Sequence, residues 1–132
     1  MAYDGYRVRP TDAKPMGGPG AVPYPVYVVI DNHKCLVPDS ITYNNLFENT
    51  QDIVELQNKE LDSIPDGDPI SKGAMLVSYK KDEGAGVFLL TNKTKRHILA
   101  PETMDKFDFD WGKVKEQIKF VIDLIPDGAP II

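Results

Sequence analysis

The chain has 132 residues, about the size of one domain. Hydrophobic residues make up 42% and charged residues 27%, ordinary globular usage, with a formal net charge of -5. No block of Lys and Arg stands out, which argues against a nucleic-acid or anionic-membrane surface, and a single cysteine, Cys35, excludes an intrachain disulfide or a multi-thiolate zinc site.

The first residues, Met1 to Tyr6, lack the charged-then-apolar pattern of a signal peptide. No apolar run reaches membrane-spanning length. A soluble cytoplasmic protein is the expectation from these features. Tyr6 and Val8 alternate with Arg7 and Arg9, so a short strand with one polar face is predicted. From Pro10 to Pro25 the chain is dense in proline and glycine and reads as a long loop. Val26 to Ile30 is almost continuous in β-branched and aromatic residues, as in a central strand buried on both faces. Asp31 to Lys34 supplies the turn and Cys35-Leu36-Val37 the returning strand. Asp39 or Ser40 caps a short helix from Ile41 to Phe47, with Ile41, Leu46 and Phe47 on one face. A strand over Ile53 to Leu56 and one helical turn over Lys59 to Ser63 follow. Then comes Ile64-Pro65-Asp66-Gly67.

The same succession returns. Gly73 to Tyr79 is a strand, Lys80 to Gly86 a shorter loop, and Val87 to Leu90 the second apolar strand. Asn92 to Lys95 is the turn. Arg96 to Leu99 returns one residue later in register than Lys34 to Val37, which makes Arg96 the counterpart of Lys34 and sets His97 opposite Cys35. Pro101 opens a helix through Phe107. Ile125-Pro126-Asp127-Gly128 closes the chain 61 residues after its first occurrence. Self-similarity at a fixed offset predicts two copies of one unit, roughly residues 3–70 and 71–132. The expected fold is α+β and β-rich, a single pseudo-twofold domain sharing one core, because either half alone is too small to bury a sheet face. Gly67 and Gly128 suit a positive φ, and Asp66 and Asp127 suit Asx turns.

Chemistry is thinly represented. Walker and Rossmann phosphate loops are absent, no EF-hand spacing exists among Asp105, Asp108 and Asp110, and no cofactor or metal is expected. Those aspartates read as a solvated face beside the buried ring row of Phe107 and Phe109. Core is the simpler reading of Trp111, the sole tryptophan; exposed, it would stack on a sugar ring or anchor a partner. Tyr24 belongs to a tyrosine-rich surface near the first loop. The two polar, basic hairpin turns, Asn32-His33-Lys34 and Lys93-Thr94-Lys95, are candidate contacts for an anionic or hydroxylated ligand. The ligand-binding candidates are thus Trp111, Asp108, Asp110, His97, Arg96, Lys34 and Tyr24, with no catalytic residue among them. A hydrolase using His97 with Asp108 or Asp110 is the weakest reading, and Cys35 reads as buried and inert.

The strings Val87-Phe88-Leu89-Leu90, Lys95-Arg96-His97-Ile98, Pro101-Glu102-Thr103-Met104 and Ile125-Pro126-Asp127-Gly128 resemble a short repeat found in tandem in some bacterial, often secreted, proteins without an established activity. The resemblance implies tandem units and favours an extracellular or surface setting; it transfers no functional residue. The expected function is non-enzymatic binding of a glycan, a surface polymer or a protein through loops of the duplicated unit. The alternative is a structural subunit of a homo-oligomer or filament.

Overall fold

Two apolar strands, one in each half of the chain, settle into the interiors of two four-stranded sheets. The structure, a computed structural model, describes residues 3–15 and 21–132. Part of the Pro/Gly loop, Gly17 to Gly20, lies outside the described residues. In chain order the first half holds β1 (Arg7–Pro10), β2 (Lys14–Pro15), β3 (Pro23–Tyr24), β4 (Tyr27–Ile30), β5 (His33–Leu36), α1 (Ser40–Leu46), β6 (Val54–Leu56) and α2 (Asn58–Asp62). The second half holds β7 (Met75–Tyr79), β8 (Val87–Thr91), β9 (Thr94–Ile98), α3 (Pro101–Phe107), a 3-10 turn (Trp111–Lys113), β10 (Lys115–Gln117) and α4 (Lys119–Asp123). The chain is α+β and rich in strand. Within the Pro/Gly loop, β2 and β3 form a small antiparallel ribbon, so its stem is ordered structure and not plain loop.

The sheet orders are β5-β4-β1-β6 and β10-β7-β8-β9. Read from the hairpin outward they match. In each, the hairpin pair and the pair next to it are antiparallel and the last strand joins in parallel. Alternation along β4 and β8 sorts their side chains. Val28, Ile30 and Leu89 enter one core, which also takes Phe47 and Leu46 from the first half and Leu76, Met104, Phe107 and Phe109 from the second. Val29 faces the other side, under α2, with Val8, Leu61 and Ile64. Phe88 does the same under α4, with Val77 and Ile122. The inner strands of each sheet are thus covered on both faces. The helix α1 bridges the halves: Thr42 Oγ1 accepts the Gly73 amide at 2.9 Å, and Leu46 O accepts the Asp110 amide at 2.9 Å. Ile41 was expected on the packed face, but it is 73% exposed, because Thr42, Tyr43 and Leu46 point inward.

The hairpins correct the expected register. Their loops are two residues long, Asp31-Asn32 (φ 53° and 63°) and Asn92-Lys93 (φ 54° and 64°), the left-handed pairs that suit the twist of the flanking strands. Identical loops leave no room for a slip. Val28 faces Cys35 and Leu89 faces Arg96, so the offset of 61 holds through both hairpins, while β1 and β7, which pair with Val28 and Leu89 through Arg7 and Leu76, correspond at 69. Lys95, not Arg96, is the counterpart of Lys34, and Arg96, not His97, that of Cys35. A one-residue slip would have turned every side chain to the wrong face.

The Ile-Pro-Asp-Gly segments dock on the outer edges of β5 and β9. Lys34 N–H donates to Pro65 O at 2.8 Å and Gly67 N–H to Lys34 O at 2.9 Å; Lys95, Pro126 and Gly128 repeat this at 2.8 Å each. Ile70 and Ile131 then reach back into the core, their amides bonded to Leu36 O and His97 O. An open strand edge is covered in both halves. The two glycines are needed for closeness, not for a positive φ, which neither adopts. A Cβ on Gly128 would lie 2.6 Å from Thr94 Oγ1, and one on Gly67 would lie 2.9 Å from His33 Cβ. Asp66 and Asp127 spend their carboxylates on Lys34 and Lys95, each at 2.9 Å, and not on an Asx turn.

Gly128→Ala is expected to cost about 1–3 kcal/mol of stability through overpacking. Thr94→Ala removes the hydroxyl that the new methyl meets, so part of the loss returns in the double variant. Urea unfolding of the four proteins measures the coupling. Strictly additive losses would rule out this contact as the reason for glycine.

Candidate functional site

Beside the start of α1, where β4 begins and β5 has just ended, the surface opens into a pocket of about 390 Å³. Its walls include Val26, Val37, Pro38, Asp39 and Ser40, with Tyr24 at the rim. A second pocket, of about 250 Å³, opens beside the start of α3. Its walls include Val87, Ile98, Leu99, Ala100 and Pro101. These five positions lie 61 residues after the first five, so the same place on the two sheets is hollow in both halves. Each pocket carries one exposed Tyr or Trp ring, from a different source. Tyr24 is 40% exposed and comes from β3; Trp111 is 50% exposed and comes from the 3-10 turn after α3. His97 lies in the Trp111 pocket, its ring 5.1 Å from that of Phe88.

Trp111 is therefore not core. The chain after α3 explains its outward position. Asp108 is the left-handed cap of that helix (φ 56°), and it turns the chain so that Phe109 stacks between Phe47 and Phe107, with centroids 5.5 Å apart on both sides. Asp110 then caps the 3-10 turn, its carboxylate accepting the Gly112 amide at 2.8 Å. Asp110 thus orients Trp111. In the first pocket Asp39 caps α1, accepting the Thr42 amide at 2.7 Å, and that bond holds its carboxyl below the usual aspartate range.

The remaining candidates lie elsewhere. Lys34 is buried at 8% exposure, and its Nζ donates to Ile64 O at 2.6 Å, so it supports the fold and offers no surface charge. Arg96 lines a separate polar cleft of about 530 Å³ between the two hairpins. Its guanidinium donates to Ala129 O at 2.7 Å and pairs with Asp31 of the other half at 3.2 Å. Cys35 borders the same cleft, and burial pushes its thiol up, away from thiolate reactivity. Asp108 reaches across to Arg7. That residue was expected on a polar strand face, but it is 3% exposed while Tyr6 points out. The Arg7 guanidinium pairs with Asp108, donates to Tyr43 Oη at 2.6 Å and to Asn49 O at 2.8 Å, and lies 4.7 Å above the Phe47 ring. Burial raises the Tyr43 phenol, with Arg7 acting against it.

The structure thus joins Trp111 to His97 and leaves Tyr24 as their partner in the other half. Sequence reasoning missed Arg7, because a strand's alternation does not say which face is wet. It also missed the pocket walls Pro38 and Leu99, which the offset of 61 could have paired. Among the described residues no group of three or more His, Cys, Asp or Glu converges as for a metal, and His97 is hydrogen-bonded to no carboxylate. No helix among them is long and apolar enough to cross a membrane. No family model, curated protein or solved structure matches the chain.

Two measurements bear on these contacts. Asp108→Ala strands the buried guanidinium and is expected to cost about 1–3 kcal/mol, the full penalty of a broken buried pair being lessened by the exposure of Asp108. Arg7→Leu installs the residue that the second half has at that place, Leu76, and is expected to cost less. The reverse ranking in thermal unfolding would refute the account. For Asp39, the depressed folded pKa means stability present above the ordinary aspartate range and lost as pH falls through the lower folded value. Asp39→Ser keeps a capping oxygen that does not titrate, so it is expected to flatten the acid limb of the stability–pH curve. An acid limb identical to wild type would show that the cap does not titrate with folding.

Proposed function

We propose that the chain is a non-enzymatic binding module that holds an extended glycan or other hydroxylated surface polymer in two corresponding pockets of a duplicated unit. One observation carries the reading: the pockets occupy matched positions 61 residues apart, and each offers one exposed ring with a large apolar face, Tyr24 or Trp111. A sugar presents an apolar C–H face that stacks on an aromatic ring and hydroxyls that bond to polar groups at its edge. Trp111 and Tyr24 supply rings with polar tips at low entropic cost. His97 beside Trp111, and Asp39 and Ser40 beside Tyr24, supply the polar edge.

The repeated arrangement of strands, helices and closing turn favours a duplication. Two related sites on one chain fit a repeating ligand, because the second contact then forms within the complex. Such linkage raises affinity by about 10²–10⁴ over one site when both reach the ligand. Absence of catalysis is favoured by the isolation of His97 from acids and by the burial of Cys35.

Retention on a panel of immobilised polysaccharides tests this. Wild type is expected to bind at least one polymer. Tyr24→Ala and Trp111→Ala are each expected to weaken that binding about tenfold or more, and the double variant to abolish it. Short oligomers of the same sugar should bind far less tightly than the polymer. A blank panel, or a double variant that binds as wild type does, would overturn the proposal.

A further inference from the structure

The second half differs from the first most sharply at its last helix. Around α4, Phe120 is 71% exposed, Leu124 70%, and Ile118 and Val121 41% each. The matching places around α2, 61 residues earlier, hold Lys59, Ser63, Gln57 and Glu60, all exposed. The fold therefore accepts polar residues there, and it does not require the apolar ones. Leu124, the C-cap of α4, follows Phe120 by four residues and Val121 by three, which gathers these three side chains on one side, and Ile118 caps the helix at its start. An apolar helical face of this kind marks a contact surface.

The first half covers the corresponding region with its own chain. Tyr3 is buried against the group formed by Val29, Leu61 and Ile64, and its hydroxyl donates to the Glu60 carboxylate. In the second half Val121 replaces Glu60. Ser71 and Lys72 precede β7 in place of an aromatic, and a hollow of about 380 Å³ remains beside Leu90, Leu124 and Ile125. What is missing is an aromatic ring, and Phe120 stands one helical turn from that hollow.

We propose that this face pairs with the same face of a second copy of the chain. An isologous contact needs a self-complementary surface, and α4 carries one. Lys119 and Asp123 border the apolar residues along one side and pair with each other at 2.5 Å within the helix. Antiparallel packing about a twofold axis sets each Lys119 opposite the other copy's Asp123. It also sets each Phe120 against the other copy's Leu124 and the hollow beside it. The free edge of β10, whose three residues are all exposed, runs directly into this face.

The test exchanges the second half's residues for those the first half already tolerates: Phe120→Lys, Val121→Glu and Leu124→Ser together. Light scattering over a roughly hundredfold concentration range reads the mass of each protein. Wild type is expected to pass from one to two chains, and the triple variant to remain a single chain with an unchanged circular dichroism spectrum. Ile41→Lys, an equally exposed apolar-to-charged change on α1, is expected to leave the dimer intact. A wild type that stays monomeric throughout overturns the proposal and leaves the face to another partner. So does a triple variant, folded by its spectrum, that dimerises as wild type does, or an Ile41→Lys protein that loses the dimer.

Discussion

Each half of the molecule depends on one buried ammonium group. The Nζ atoms of Lys34 and Lys95 lie under the chain that closes the half, where each bonds a backbone carbonyl, that of Ile64 or Ile125, and one carboxylate, that of Asp66 or Asp127. Burying a lysine is costly unless its donors are used. Here the carbonyl is the inner partner, while the aspartates are 82% exposed and contribute only what a wet ion pair can. The lysine is thus less a charge pair than a clasp. It fixes where the chain leaves the helix, lays Pro-Asp-Gly along the strand edge, and so determines that Ile70 and Ile131 return to the core. Without that closure both hairpins would present open edges.

Arg7 does between the halves what the lysines do within them, by a different route. The second half has Leu76 at the same place in its first strand, fully buried in the shared core. An apolar residue therefore satisfies the fold there, and the cation answers to something particular to the first half. Its guanidinium has Tyr43 and Asn49 on one side, the face of Phe47 below, and Asp108 of the second half beyond. Because Asp108 also caps α3, this contact reaches the turn that carries Trp111. The position of that ring thus follows from packing at the junction of the halves as well as from Asp110.

Much of the fold was legible because its signals are local. A β-branched run, a Pro at the first turn of α3, and an acidic cap before α1 each state an element within a few residues. The recurrence of Ile-Pro-Asp-Gly marked corresponding places at any distance. Hairpin register was not legible, because Lys95 and Arg96 are adjacent cations and either suits the position on composition alone. Only the length of the turn decides between them. The roles of Gly67 and Gly128 were missed for a related reason. Glycine after aspartate suggests a left-handed turn, whereas here it admits a strand from elsewhere in the chain to within van der Waals contact. Of the candidate residues, Lys34 and Trp111 changed places in kind. The lysine proved structural and the tryptophan exposed, since a sequence states polarity but not which side of a sheet or turn is wet.

The two halves also separate what the fold demands from what it permits. Positions alike in both answer to the sheet, the clasp and the core. Positions that differ while the backbone stays the same are free of those constraints, so their residues need another explanation. Arg7 against Leu76 finds it at the junction. Tyr24, where the second half has Ala85, and Trp111, where the first half has Thr50, each line one of the two matched hollows, on rings supplied from unrelated segments. The apolar face of α4 against the polar face of α2 is the strongest of these contrasts, because four exposed hydrophobic side chains lower solubility without adding to the core. On the proposed pairing, a second copy of the chain offsets that cost.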